Sequence, residues 1–151
     1  MFRRRVFVAV IVLVLGLTAS TAFAQGPRPY HDGSVWSIGF IHVKAGMEPA
    51  YLGYLAGDWK KEQEALKAEG LILSYRVISV EAHSPSEFNL MLMTEYKSLA
   101  AMESASDKAD ALLQKLFGGD QKVMQGYKER LEIREVTGDR LGREIVLEPK
   151  K

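Results

Sequence analysis

The segment VWSIGFIHVK, residues 35–44, determines how the rest of the chain can fold. It is rich in β-branched and aromatic residues and stops at Ala45-Gly46, which predicts a β-strand. Alternation along a strand places Trp36, Ile38, Phe40 and His42 on one face and Val35, Ile41 and Val43 on the other. Both faces are largely apolar, so the strand requires protein cover on both sides.

An amphipathic helix is predicted directly after this strand. It begins at Glu48-Pro49, because proline and an acidic group are both favourable in the first turn of a helix, and it ends at Gly70. Its apolar stripe is Leu52, Leu55, Trp59 and Leu66, and its polar side carries Lys60, Lys61, Glu64 and Lys67.

Two further strands are predicted at residues 71–81 and 88–96, joined by the polar turn His83-Ser84-Pro85-Ser86. So short a turn requires an antiparallel hairpin, because parallel neighbours need a crossover of about a dozen residues. Helices at 99–117 and 120–136, the second capped by Asp120, and a last strand at 143–148 complete the series.

The order strand, helix, strand, strand, helix, helix, strand predicts an α+β fold: a ferredoxin-like antiparallel sheet with its helices on one face. Such a sheet leaves its other face uncovered. Because residues 35–43 and 90–93 are apolar on both faces, we predict a homodimer in which a second copy covers that face.

The N-terminus has the three parts of a secretory signal peptide: basic residues at 3–5, an apolar run at 6–17, and Ala22-Phe23-Ala24 as cleavage site. The run is shorter than the ~20 residues that a membrane-spanning helix needs. We therefore predict a signal peptide at 1–24, a flexible tether at 25–34 and one domain at 35–151. The protein is then periplasmic or secreted, with no membrane attachment after cleavage.

Composition narrows the possible chemistry. The chain's net charge of +1 becomes weakly negative once the arginines at 3–5 are removed, so no basic surface for nucleic acid is expected. The absence of cysteine excludes thiol catalysis. We expect no metal site, and we assign Met91 and Met93 to packing rather than to copper binding.

Three segments, VWSIGFIHVKAGME at 35–48, LILSY at 71–75 and FNLMLMTEY at 88–96, resemble the dimeric α+β barrel superfamily, and within it uncharacterised exported bacterial members. The resemblance covers residues 35–148 and implies two ferredoxin-like subunits paired sheet to sheet. It implies no single activity, because that superfamily includes cofactor-free monooxygenases, haem-binding relatives of chlorite dismutase and stress-responsive proteins.

Four residues are candidates for ligand binding: His42, Trp36, Arg76 and Asn89. The His42 imidazole could shuttle a proton, orient a ligand or bind haem, or it could simply be hydrogen-bonded to backbone near a strand end. Arg76 and Asn89 interrupt apolar strands. Either could point into a pocket between sheet and helices, or toward the sheet edge and the dimer interface.

We therefore expect an exported small-ligand-binding or interaction module whose ligand is a small apolar or aromatic molecule. The alternative is a cofactor-independent monooxygenase-like enzyme, in which His42, Trp36, Asn89 or Arg76 bind and polarise an aromatic substrate that itself activates oxygen. Whether the chain is an enzyme is left open. No cofactor is expected, with haem on His42 as the one alternative.

Overall fold

The structure is a computed structural model that describes residues 28–149. The predicted signal peptide and residues 25–27 of the predicted tether lie outside the described residues. In chain order the elements are β1 (Tyr30–Val43), α1 (Glu48–Tyr54), a π-helical turn (Leu55–Trp59), α2 (Lys60–Ala68), β2 (Ser74–Ser79), β3 (Leu90–Tyr96), α3 (Leu99–Phe117), α4 (Asp120–Ile133) and β4 (Arg134–Leu147). Within the described range, no helix is both long enough and apolar enough to cross a membrane.

The four strands form one antiparallel sheet in the order β2-β3-β1-β4. β2 and β3 form the predicted hairpin, with Ser74 opposite Glu95 and Ser79 opposite Leu90. The helices pack on one face of this sheet, so the predicted ferredoxin-like α+β fold is confirmed.

The hydrophobic core lies between the first helix and the covered face of the sheet. Its buried members are Ile41 and Val43 of β1, Leu90 of β3, and Tyr51, Leu55 and Trp59 of the helix. Burying each of these side chains contributes about 1.5–3 kcal/mol, so this layer holds the helix on the sheet.

The π-helical turn keeps the apolar stripe of the first helix facing the sheet. The buried residues Tyr51, Leu55, Trp59 and Gln63 recur every four residues, a longer period than the 3.6 residues of an α-helix. A turn with i→i+5 hydrogen bonds matches that longer period locally. The prediction of an uninterrupted helix was wrong here, and Leu52, predicted on the apolar stripe, is exposed.

β4 is much longer than the predicted last strand. It starts directly after α4 and pairs with β1 from Arg134 opposite Val43 to Leu147 opposite Tyr30. Residues 30–34, predicted to belong to a tether, are therefore part of β1, with an irregularity between Asp32 and Val35. The hydrogen bonds of the ladder outweigh the local loop preference of this segment, which contains Gly33 and follows Pro29.

Candidate functional site

The sheet face opposite the helices, here called the open face, has an apolar centre. It is formed by Trp36, Ile38 and Phe40 of β1 and Met91 and Met93 of β3, all partly exposed. Ile38 lies opposite Met93 and Phe40 opposite Met91, so the five side chains adjoin one another. A single subunit therefore presents a continuous apolar patch to its surroundings.

Arg76 and Trp36 meet on the open face. The Arg76 guanidinium carbon lies 5.3 Å from the centroid of the Trp36 ring, which is a cation–π contact. Arg76 is thus directed to the open face and not into a pocket between sheet and helices. Glu95, opposite Trp36 in β3, accepts a hydrogen bond from the Ser74 hydroxyl, and this bond holds the pKa of Glu95 below its ordinary value.

His42 and Asn89 lie together at the end of β1. The His42 Nδ1 atom is 2.8 Å from the carbonyl oxygen of Glu87, which is the backbone contact considered for this residue from the sequence. Asn89 Oδ1 accepts a hydrogen bond from the Val43 N–H at 2.9 Å. Both residues line a shallow, open depression of about 450 Å³.

The four predicted site residues therefore form two separate pairs. Trp36 and Arg76 do not line the depression that His42 and Asn89 share. A single closed pocket containing all four residues, which would favour the monooxygenase hypothesis, is not formed within the described part of the subunit. Among residues 28–149 no group of three or more histidine or acidic side chains is placed to hold a metal ion.

A second cluster, here called the arginine–tyrosine cluster, joins α1, α4 and the start of β4 and consists of Tyr51, Tyr54, Tyr127, Arg130 and Arg134. The Arg130 guanidinium carbon is 4.8 Å from the Tyr54 ring centroid and 5.6 Å from that of Tyr127. The Arg134 guanidinium carbon is 5.9 Å from the Tyr51 ring and 6.0 Å from the Tyr127 ring. Both cations therefore lie against Tyr127.

The two arginines of this cluster form no ion pair with an acidic side chain among residues 28–149. Arg134 is only 7% exposed. Its Nε and Nη1 atoms and the Nε atom of Arg130 are buried without a hydrogen-bond partner in the described structure. The ion pairs of His31 with Glu148 and of Arg143 with Asp32 involve neither Arg130 nor Arg134.

The sequence analysis did not identify this cluster. In the sequence, Arg134 lies between Glu132 and Glu135, and such alternating charges are typical of a solvated face. Arg130 follows Tyr127 by three residues and Arg134 follows Arg130 by four, and this spacing is a usable signal, since such residues share a helix face. That signal is obscured because Arg134 is the first residue of β4.

A cleft of about 390 Å³ opens beside Arg130. Its wall combines the apolar side chains of Leu113, Phe117 and Val123 with the polar groups of Tyr54, Glu62 and Arg130. Burial raises the pKa of Tyr54 to about 12, so its phenol stays neutral. Burial also raises the pKa of Glu62 above its ordinary value, against the opposing effect of the Arg130 charge.

Comparison with known proteins supports the fold and goes no further. No protein-family model and no curated protein matches the chain. A solved structure that is similar is that of a NipSnap family protein of unknown function from Agrobacterium tumefaciens, with a TM-score of 0.50 and 16% sequence identity. The match covers 78% of this chain and 92% of that chain. At this identity the likeness shows a shared α+β fold alone.

Proposed function

We propose that this chain is an exported small-ligand-binding module that works as a homodimer, with the open faces of two copies enclosing an apolar or aromatic ligand. The contact between Arg76 and Trp36 carries the proposal. It places a cation and a large aromatic ring at one end of an apolar patch, and a few polar groups in an apolar setting are typical of ligand sites.

The apolar patch itself supports a second copy as its cover. Trp36, Ile38, Phe40, Met91 and Met93 form one continuous surface, which a soluble subunit normally buries. A two-fold interface joins the same patch of both copies. The NipSnap family protein supports the fold on which this argument rests.

Charges around the patch are compatible with self-association. Arg140 of β4 lies opposite Ile38, and Glu95 lies opposite Trp36, so the open face carries both signs at its margins. Two-fold symmetry can bring an arginine of one copy near a glutamate of the other. Like-charge repulsion therefore does not oppose the assembly.

The dimer is tested by sedimentation equilibrium of wild-type protein and Ile38→Lys. We expect a dimer for the wild type and a monomer for the variant, because a lysine at the centre of the patch would be buried without a partner. Leu52→Lys is the matched control, since Leu52 is an exposed leucine on α1. A monomeric wild type, or an Ile38→Lys variant that remains dimeric, contradicts the proposal.

Ligand binding is tested by titrating 1-naphthol and following tryptophan fluorescence. The chain has two tryptophans: Trp36 on the open face and Trp59, which is buried under the first helix. Quenching should persist in Trp59→Phe and disappear in Trp36→Phe. Arg76→Gln should weaken binding by a factor of about 3–30, the range of cation–π contacts from exposed to desolvated sites, while the exposed Arg143→Gln leaves it unchanged. Quenching confined to Trp59 would refute this site.

Export is part of the same proposal and rests on the N-terminal segment. The mass of the protein isolated from its own host should correspond to a chain that starts at Gln25. The monooxygenase-like alternative remains a hypothesis without a supporting contact, because Trp36 and Arg76 are separate from His42 and Asn89.

A further inference from the structure

The arginine–tyrosine cluster holds two positive charges in a place where proteins seldom leave them unpaired. A buried arginine is normally matched by a carboxylate, because removing its charge from water is costly. Here Arg134 is 7% exposed, and no acidic side chain among residues 28–149 forms an ion pair with it or with Arg130. Glu62 interacts electrostatically with Arg130 but forms no ion pair with it, so neither guanidinium is in direct contact with an anionic group of the described structure.

The tyrosine rings do not supply the hydrogen-bond acceptors that the two guanidinium groups need. A guanidinium is planar, so the rings of Tyr51, Tyr54 and Tyr127 interact with its flat faces. Its N–H groups lie in the plane and need acceptors there. The Nε atom of Arg130 and the Nε and Nη1 atoms of Arg134 lack such acceptors in the described structure.

The cleft beside Arg130 supplies the space for a ligand. Its volume of about 390 Å³ falls within the ~300–1,000 Å³ of small-molecule sites. Leu113, Phe117 and Val123 offer an apolar wall, and Arg130 lies at its polar end with Tyr54. A molecule that fits has an apolar body and one negatively charged group.

From this arrangement we propose a second ligand site that binds a small carboxylate with an aromatic or short aliphatic body. The carboxylate pairs with Arg130, and the apolar body lies against Leu113, Phe117 and Val123. Arg134, on the other side of the Tyr127 contact, adds a second positive charge that water screens little because it is buried.

Three acidic side chains, Asp58, Glu62 and Glu129, also line the cleft, so a bound carboxylate must lie closer to Arg130 than to them. Asp58 is exposed to solvent, and Glu129 accepts a hydrogen bond from Gln125 at 2.9 Å. Burial raises the pKa of Glu62 above its ordinary value, because it disfavours the charged form of this carboxyl group. Lys122 adds a further positive charge to the wall.

Gly126 is consistent with a cleft that must stay open. It lies in the interior of α4, where alanine would favour the helix, and its φ angle is not positive, so the backbone does not require glycine. A Cβ at this position would lie 3.4 Å from Arg130 Nη1. A Cβ at this distance makes an ordinary van der Waals contact, so alanine would add bulk beside the guanidinium without a clash.

Isothermal titration calorimetry with sodium benzoate and sodium hexanoate tests the site, with benzamide and hexanamide as neutral counterparts. We expect the carboxylates to bind at least about tenfold more tightly than the amides, because only they pair with a cation. Arg130→Gln should lose this preference. Lys128→Gln is the matched control, since it removes a positive charge from an exposed position of the same helix.

Gly126→Ala should weaken benzoate binding while the protein remains at least as resistant to thermal unfolding. Gly53→Ala is its control: it also replaces a helical glycine, but no atom lies within 4 Å of the added Cβ. Equal affinities for benzoate and benzamide, equal binding by wild type and Arg130→Gln, or no binding of either carboxylate would overturn the proposal. Arg76→Gln should retain carboxylate binding, which separates this site from the open face.

Arg134→Met gives an independent test that does not depend on the affinity of the probe. It removes a buried charge that has no acidic partner, so the Tm without benzoate should equal or exceed that of the wild type. The rise in Tm caused by benzoate should become smaller. A marked fall in Tm without benzoate would show that this charge is satisfied inside the protein, and the inference would fail.

Discussion

The side-chain amide of Asn89 is bonded to both main-chain polar groups of Val43. Its Oδ1 accepts from the Val43 N–H at 2.9 Å, and its Nδ2 donates to the Val43 carbonyl oxygen at 3.5 Å. The Asn89 N–H also donates to the Ile41 carbonyl oxygen at 2.9 Å. Asn89 therefore joins the start of β3 to the end of β1 where the regular ladder stops, and its role in ligand binding stays a prediction.

Asn89→Asp should destabilise the fold. A carboxylate keeps the acceptor for the Val43 N–H but places a second oxygen against the Val43 carbonyl oxygen, so one partly buried acceptor loses its donor. We expect a loss of about 1–3 kcal/mol in the free energy of unfolding, measured with urea. Gln121→Glu, the same chemical change at an exposed position in the first turn of α4, should instead stabilise by about 0.3–1 kcal/mol, because an acid is favourable there. No loss of stability in Asn89→Asp would show that the hydrogen bonds from the Asn89 side chain to Val43 do not stabilise the fold.

Glu62→Gln should stabilise the protein at neutral pH. Burial raises the pKa of Glu62 in the folded state, so the folded protein binds its proton more tightly than the unfolded chain does. The stability of the wild type therefore falls as the pH rises from the ordinary pKa through the raised one. Glutamine is never charged, so the advantage of the variant should appear over that same window.

Urea unfolding from about pH 4 to about pH 8 measures this difference, because that range includes the ordinary pKa of glutamate. Glu69→Gln, at the exposed end of α2, reports the effect of removing a surface charge from the same helix. The difference in the free energy of unfolding between Glu62→Gln and the wild type should grow as the pH rises. A difference that stays constant or shrinks would contradict the burial of Glu62.

The ion pair between Asp32 and Arg143 should contribute only a small coupling free energy to stability. The Arg143 Nη1 and Asp32 Oδ2 atoms are 2.9 Å apart, and both side chains are 53% exposed. Exposed ion pairs contribute about 0.2–1 kcal/mol, and salt screens them. A double-mutant cycle with Asp32→Asn and Arg143→Gln should give a coupling energy in this range that decreases at high salt. No coupling at low salt would contradict the pairing of residues 30–34 with β4.

The sequence is sufficient to predict the elements whose ends carry local signals. α3 has the predicted bounds Leu99–Phe117, because the Ser98 hydroxyl accepts from the Ala101 N–H at its start and Gly118 ends it with a φ of 83°. The β2–β3 hairpin follows in the same way from its short turn. Such features depend on neighbouring residues, so a sequence shows them directly.

Long-range contacts explain what the sequence could not show. The start of β4 at Arg134 follows a helix without an intervening turn and is fixed by pairing with Val43, which is distant in the chain. Alternation predicts the face that Trp36 occupies, whereas the contact with Arg76 spans β3 and needs the register of three strands. The arginine–tyrosine cluster likewise needs the packing of α4 against α1.

Deleting Gly57 should be tolerated better than deleting a residue of α2. Gly57 lies in the π-helical turn, and no atom lies within 4 Å of the position that a Cβ would take. Removing one residue there can convert the i→i+5 turn to regular α-helix while the flanking segments keep their faces toward the sheet. Deleting Ala65 instead rotates the residues that follow it by about 100° around the helix axis. Leu66, which is buried, would then leave the core at a cost of about 2–5 kcal/mol. Urea unfolding of both deletion variants measures the difference, and an equal or larger loss for the Gly57 deletion would show that the π-helical turn does not have this compensating role.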